Sequence, residues 1–283
     1  MTDPPAPRPA DIMRPTIINR LRAAGCVFAE EEARLLSGAA TTTAHLDVLV
    51  QQRVSGLPLE HVLGWAEFCG LRIEVDTGVF VPRRRTEFLV REAARLLGRS
   101  GRTGRAPVVL DLCCGSGAVG TALASLAGPV ELHAADVDEA AVKCAVRNIV
   151  PLGGEVHEGD LYAPLPERLR GRVAVLAVNA PYVPSAEIGT MPREARLHEP
   201  RISLDGGTDG LQIQRLVAAG ARQWLAPGGY LLIETSPRQA PQTVELFNRS
   251  GLKARVARSG QLDATVVIGT PTADGPGGEP RCS

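Results

Sequence analysis

Val108-Val109-Leu110-Asp111-Leu112-Cys113-Cys114-Gly115-Ser116-Gly117-Ala118 is an apolar run that passes through a glycine turn into a helix-forming segment. Such a run fits a strand buried on both faces, and the glycines let the backbone turn tightly and approach a ligand. The helix that follows would aim its unpaired N–H groups over the turn, where a carboxylate or phosphate is stabilised. Glycine in a βα connection is equally well explained by fit alone, so the downstream strands decide.

Glu131-Leu132-His133-Ala134-Ala135-Asp136 ends in an acid 21 positions past Gly115, 136 minus 115. That is close to the ~20-residue spacing at which a strand-end carboxylate accepts ribose hydroxyls. Asp160, in Gly159-Asp160-Leu161-Tyr162, ends the next strand, where it could accept from an adenine amino group. One strand-end acid is more commonly a solvated residue or a cap; Asp111, Asp136 and Asp160 on successive strands reverse that balance. The loop matches neither a dinucleotide fingerprint nor the G-x-x-x-x-G-K-[ST] cradle for a triphosphate, so an adenosine ligand with one small acidic tail fits better. The candidate cofactor residues are Asp111, Cys113, Cys114, Gly115, Ser116, Gly117, Asp136, Asp160, Leu161 and Asn179.

Asn179-Ala180-Pro181-Tyr182 follows the apolar run Val173 to Val178, where a buried strand opens into a loop. A polar amide held there can grip another planar amide or amine. The Asn179 oxygen and the Ala180 carbonyl can each accept one N–H, which orients an NH₂ group and stabilises the charge it gains on alkylation. Tyr182 would pack on the planar acceptor or close the pocket, although a tyrosine just past a strand is as often a packing residue. Asn179, Ala180, Pro181 and Tyr182 are the candidate catalytic residues, with no acid-base dyad required.

The segment around these motifs alternates strand and helix, with strands near 108–112, 131–136, 155–159, 173–179, 230–235, 253–258 and 264–269. Helices start near Ala118, Glu139, Asp209 and Pro237. The alternation implies an α/β fold, a mostly parallel sheet covered on both faces. Ahead of it, apolar faces at Ile17, Ile18, Leu21, Ala24 and at Leu46, Leu49, Val50, Val54 indicate short helices. Five segments are expected: a tail at 1–12, a helical domain at 13–60, a hairpin linker at 61–90, the main domain at 91–270 and a tail at 271–283. In the linker, Leu71–Val75 and Val79–Val81 read as strands about Asp76-Thr77-Gly78.

The chain has 283 residues, 44% of them hydrophobic, enough for one sizeable core and a small accessory domain. Lys+Arg and Asp+Glu both total 31, so no global field attracts a polyanion, and nucleic acid is a disfavoured partner. The six cysteines lack C-x-x-C spacing, which fits reduced thiols and no metal centre. His45, His133 and His157 show no ligand spacing and read as surface or packing residues. No signal peptide or apolar run of ~18 residues occurs, so a cytoplasmic protein without membrane contact is expected. Arg83-Arg84-Arg85 reads as a solvated face, with Arg83 favoured over its neighbours; Cys113-Cys114 reads as small side chains filling a tight turn. Glu87 fits either a wall over the cofactor or a first-turn acid.

Taken together, these motifs resemble class I S-adenosyl-L-methionine-dependent methyltransferases, and specifically the HemK/PrmC type of protein glutamine-N5 methyltransferases or a side branch of them. The resemblance runs from about Val54 to Gly269. It rests on Gly56 to Gly64, Glu67 to Leu71, Val81 to Glu87, Leu110 to Ala118, Asp136, Asn179 to Tyr182, His198-Glu199-Pro200 and Leu204 to Gly210. It implies a Rossmann-like seven-stranded sheet with a helical domain that docks a protein substrate. It also implies S-adenosyl-L-methionine as cofactor, with Cys113 to Gly117 on its methionine part, Asp136 on the ribose, and Asp160 and Leu161 around the adenine. The implied acceptor is the Gly-Gly-Gln glutamine of a peptide chain release factor. Two departures are Ala180, where the family usually has a second proline, and His61, where it often has tyrosine. Two alternatives stay open: an adenine-N6 type nucleic-acid methyltransferase, which uses a similar loop on an extruded base, and an inactive cofactor-binding regulator.

Overall fold

In the computed structural model, the described residues are 9–98 and 104–272, with side chains described from residue 15 onward. Four helices come first: α1 (Pro9–Ala23), α2 (Ala29–Ala39), α3 (Thr43–Val54) and α4 (Leu59–Leu63). Ile17, Leu21, Ala33, Leu36, Leu46 and Val50 meet in a core of their own. The Thr42 hydroxyl caps α3 by accepting the His45 N–H at 3.0 Å. Helix α1 begins inside the segment expected as a tail, and residues 1–8 of that segment lie outside the described residues. At the other end the last strand runs to Pro271, and 273–283 likewise lie outside them.

The hairpin differs from its expected register. Strands β1 (Trp65–Phe68) and β2 (Leu71–Glu74) pair antiparallel, with Phe68 opposite Leu71. Their turn is Cys69-Gly70, both left-handed at φ 52° and 74°, the hand that matches strand twist in a two-residue hairpin. Val79–Val81 is not a strand; Val79 and Val81 alternate because both enter the core, not because they pair.

Helix α5 (Glu87–Leu97) leads to the main sheet: β3 (Val108–Leu112), α6 (Ala118–Ala127), β4 (Glu131–Asp136), α7 (Glu139–Ile149), β5 (Glu155–Glu158) and β6 (Val173–Val178). Then come α8 (Arg193–His198), α9 (Gln212–Trp224), β7 (Leu225–Thr235), α10 (Ala240–Arg249), β8 (Leu252–Ser259) and β9 (Ala264–Pro271). Spatial order is β5-β4-β3-β6-β7-β9-β8. The first five strands are parallel, and β9 runs antiparallel to both β7 and β8. Period-two alternation along β6 sends Val175 and Ala177 to one core and Leu176 and Val178 to the other. Each fully buried Val or Leu contributes about 1.5–3 kcal/mol. The chain reverses its winding direction between β3 and β6, which opens a crevice outside the carboxyl ends of those strands.

Residues 179–211 roof that crevice, with α8, two single-turn 3-10 helices and one bridge between Val183 and Asp205 as regular structure. Three arginines from three other places hold the roof by its glutamates. Arg53, on α3, reaches Glu194 at 2.7 Å and also Glu32 at 2.7 Å. Arg83, ahead of α5, reaches both oxygens of buried Glu199 at 2.6 Å. Arg238, after β7, reaches Glu187 at 2.7 and 2.9 Å.

Candidate active site

A cavity of about 380 Å³ opens over the carboxyl ends of β3 to β7. Asp111, Cys113, Cys114, Gly115, Ser116, Asp136, Asp160, Leu161 and Asn179 to Tyr182 all line it. Gly117 does not. Its φ is 76° at the start of α6, and a Cβ there would lie 2.7 Å from Ile149 Cδ1, so this glycine serves close packing.

The glycine turn is closed by the strand beside it. Asp136 Oδ2 accepts the Gly115 N–H at 2.8 Å and Oδ1 accepts the Asp138 N–H at 3.0 Å. The Cys114 N–H donates to the Ala135 carbonyl at 3.1 Å. Gly115 has φ 54°, and the space a Cβ would occupy there is open, so a ligand can lie directly against the backbone. Carboxylate oxygens keep further lone pairs after accepting one bond, so Asp136 can still take hydroxyls. These groups fit an adenosine ligand with an amino-acid tail. Leu161, on the far wall, holds a left-handed φ of 46°, rare for a branched side chain.

Asp111 is buried, and its Oδ2 accepts the Gly120 N–H at 2.8 Å. Burial pushes its carboxyl up to about 8 against that bond, with Asp136 adding a smaller push. Burial also raises Asp136. Burial drives the Cys113 and Cys114 thiols well above their usual range, which disfavours their thiolate forms.

The side of the cavity around Asn179 is assembled from distant residues. Asn179 Nδ2 lies 3.5 Å from Thr86 Oγ1, which leaves Oδ1 to accept. Parallel register sets Val178 beside Ile233, and the next residue on each strand, Asn179 and Glu234, enters the cavity wall. Glu234 is buried, takes the Arg85 Nε–H at 3.3 Å on Oε1, and has no hydrogen-bond partner on Oε2. Burial raises its carboxyl, and Thr86 and Arg85 oppose the rise. The Arg85 guanidinium also stands 6.0 Å above the Tyr182 ring.

The loop carrying Asn179 to Tyr182 is clamped along its backbone. Val183 N–H donates to Leu204 O at 3.1 Å, Gly206 N–H to Val183 O at 2.9 Å, and Gln239 Nε2 to Tyr182 O at 2.9 Å. Side chains at Gly206 and Gly210 would collide with the Pro181 and Tyr182 carbonyls, which accounts for these two glycines.

Three residues here escaped sequence reasoning as site residues: Thr86, Arg85 and Glu234. Glu234 had a legible signal, a carboxylate closing the apolar run Leu231-Leu232-Ile233 at the same strand end as Asn179. Arg84 and Arg85 are exposed, as a solvated face would be, but Arg83 and Arg85 each also pair with a buried glutamate, which that reading did not include. Glu87 does not line the cavity. It accepts the Cys69 N–H at 3.3 Å and pairs with Arg91 at 2.9 Å, as a first-turn acid of α5.

Seven strands of which only β9 is reversed, with a ligand cavity over the first glycine turn, define a class I S-adenosyl-L-methionine-dependent methyltransferase. A methyltransferase from Pyrococcus furiosus has the same fold, with a TM-score of 0.51 over 71% of this chain and 88% of that one, at 17% identity. Residues 72–191 match the methyltransferase small domain. More narrowly, the chain belongs to the release factor glutamine methyltransferase family. The enzyme of that name from Geobacter sulfurreducens is 37% identical over 205 residues, 72% of this chain and 69% of the other. A 4-amino-L-phenylalanine/4-methylamino-L-phenylalanine methyltransferase from Streptomyces pristinaespiralis is 35% identical over 203 residues, 71% of this chain and 69% of its own. Among the described residues, no helix is long and apolar enough to cross a membrane.

Proposed function

We propose that the protein methylates the side-chain amide nitrogen (N5) of a protein glutamine, that of the Gly-Gly-Gln tip of a peptide chain release factor. The observation that carries this reading is Asn179, turned by Thr86 so that its oxygen is free, on a loop whose backbone is clamped on both sides. The amide nitrogen of glutamine is a poor nucleophile because its lone pair is delocalised into the carbonyl. A rigid pair of acceptors, Asn179 Oδ1 and the Ala180 carbonyl, would hold both N–H groups and leave the lone pair aimed into the cavity. Tyr182 would flank the planar amide, and Pro181 would keep Ala180 extended so that its carbonyl direction survives the loss of the second proline. Glu234 Oε2 adds an acceptor beside Asn179.

When bound, S-adenosyl-L-methionine supplies the electrophilic methyl group. In this reading Cys113 to Ser116 hold its methionine part while Gly117 packs the turn against Ile149, Asp136 holds its ribose, Asp160 and Leu161 surround its adenine, and buried Asp111 stiffens the turn through Gly120. Residues 13–60 serve as the docking domain, 61–90 as the linker and 91–270 as the catalytic domain. The cytoplasm, where release factors act, is the expected location.

One observation favours a second acceptor class: the Streptomyces pristinaespiralis relative, named for an aromatic amine, is nearly as similar as the release-factor enzyme. An aniline nitrogen is conjugated like an amide and would suit the same pair of acceptors. The test is transfer of labelled methyl to purified release factor, with 4-amino-L-phenylalanine, RNA and DNA in parallel and Asn179→Ala as control. Label on the Gly-Gly-Gln glutamine is expected. Label confined to the amino acid or to nucleic acid would replace that acceptor, and none anywhere would favour a cofactor-binding regulator.

A further inference from the structure

Register between β4 and β5 gathers side chains that look unrelated in the sequence. His133 stands opposite Glu155, with His157 two residues along on the same face. His133 Nδ1 and His157 Nε2 lie 3.2 Å apart, and His133 Nδ1 is 3.9 Å from Glu155 Oε2. The ligand atoms of all three residues fall within 4.8 Å of one another.

We propose that His133, His157 and Glu155 form a site for a divalent transition cation of the zinc type, a clip between β4 and edge strand β5. Two imidazole nitrogens on a tetrahedral zinc at 2.0–2.1 Å stand about 3.3 Å apart, close to the 3.2 Å found here. Two imidazoles with one carboxylate select zinc-like ions over magnesium or calcium, and a water completes the set.

An orienting partner is already built in. Glu131 Oε1 lies 3.5 Å from His133 Nε2, and Glu131 is itself fixed by Arg172 at 2.6 Å. A carboxylate there keeps the proton on Nε2 and turns the Nδ1 lone pair toward the cation, the usual arrangement behind a ligating histidine. Without metal, His157 Nε2–H donates to His133 Nδ1; with metal, His157 shifts its proton to Nδ1 and releases Nε2 as a ligand. Arg168 holds Glu155 at 2.6 Å, but both side chains are 51% exposed, so Glu155 can turn inward as Arg168 returns to water.

Strand β5 ends at Glu158, one residue past His157, and leads directly into Gly159 and Asp160 on the cavity wall, so the clip would fix the strand from which that wall departs. Nothing in the methyl-transfer reading uses these histidines.

The test is titration of the metal-free full chain with Co²⁺, followed by displacement with Zn²⁺. One equivalent of Co²⁺ is expected, with visible absorption typical of four-coordinate nitrogen and oxygen ligands, lost on adding Zn²⁺. His157→Gln should weaken binding by at least about 100-fold and Glu131→Gln by roughly 10–100-fold, while His45→Gln should leave it unchanged. Zn²⁺ should also raise the Tm of the wild type and not that of a folded His157→Gln protein. Equal binding by wild type and His157→Gln, a thiolate charge-transfer band, or no stoichiometric binding would each overturn the site.

Discussion

The wall of the cavity proposed for the cofactor is made by neighbours in the chain, whereas the wall proposed for the acceptor joins residues from far apart. Gly115 meets Asp136 across 21 residues and Gly120 meets Asp111 across 9. Asn179 meets Thr86 across 93, and Arg85 meets Glu234 across 149. The first wall is a matter of turn geometry and hydrogen bonds within successive βα units. The second exists only once α5 and the roof are docked against β6 and β7. Damage to the first should therefore appear as lost binding and stability, and damage to the second as lost turnover with binding intact.

Asn179→Ala tests that division most severely. Turnover is expected to fall by roughly 10²–10³ with cofactor affinity held within about tenfold, as measured by steady-state rates beside calorimetric titration. Turnover close to wild type would erase the distinction. Glu234→Gln should follow the same pattern more weakly, with turnover down about tenfold and cofactor Kd unchanged. A Kd that moved with turnover would place Glu234 on the cofactor side.

The two glycines divide the cofactor wall further. Gly117→Ala forces a methyl toward Ile149 at a positive φ, and a loss of about 1–3 kcal/mol in urea unfolding is expected. Gly115→Ala meets open space and carries only the conformational cost, about 1 kcal/mol, so its main effect should be weaker cofactor binding.

Asp111 contributes a slope with pH. Its carboxyl is raised in the folded protein from 3.8 to about 8, so between those values the native state holds a proton that the unfolded chain has lost. Stability from this group is complete below about 4 and lost as pH rises toward about 8. Asp136, Glu199 and Glu234 are raised by burial as well and act in the same sense, so the variant isolates the residue. The unfolding free energy of Asp111→Asn minus that of wild type should grow through this window and level off above it, as chemical denaturation at a series of pH values would show.

The same contrast explains what is legible in the sequence alone. Strands β3, β4 and β6 are apolar runs ending in an acid or an amide, so their positions, the turn at Gly115 and the candidates Asp136 and Asn179 could be placed from short spacings. Thr86 and Glu234 could not be joined to Asn179, because the pairing of β6 with β7 and the docking of α5 are tertiary facts. The hairpin was misplaced because burial of Val79 and Val81 imitates the period of a strand, while the true turn rests on Cys69 taking a conformation seldom chosen by a residue with a Cβ. The same cross-strand logic hid His133 and His157, two packing residues in one dimension and neighbours in three.

The roof over the acceptor wall is bound by guanidinium to carboxylate contacts, and apolar residues such as Leu197 and Ile202 on it face solvent. Ionic strength is therefore a graded lever on this part of the enzyme. Added salt screens exposed pairs first and buried ones last. The pair of Arg238 with Glu187, 70% and 48% exposed, should yield before that of Arg53 with Glu194, at 13% and 42%, and the pair of Arg83 with Glu199, whose carboxylate is 1% exposed, should yield last. Salt would thus unfasten the roof from its periphery toward Arg83 at the cavity wall, slowing capture of the acceptor at concentrations that leave the glycine turn and its hold on the cofactor untouched.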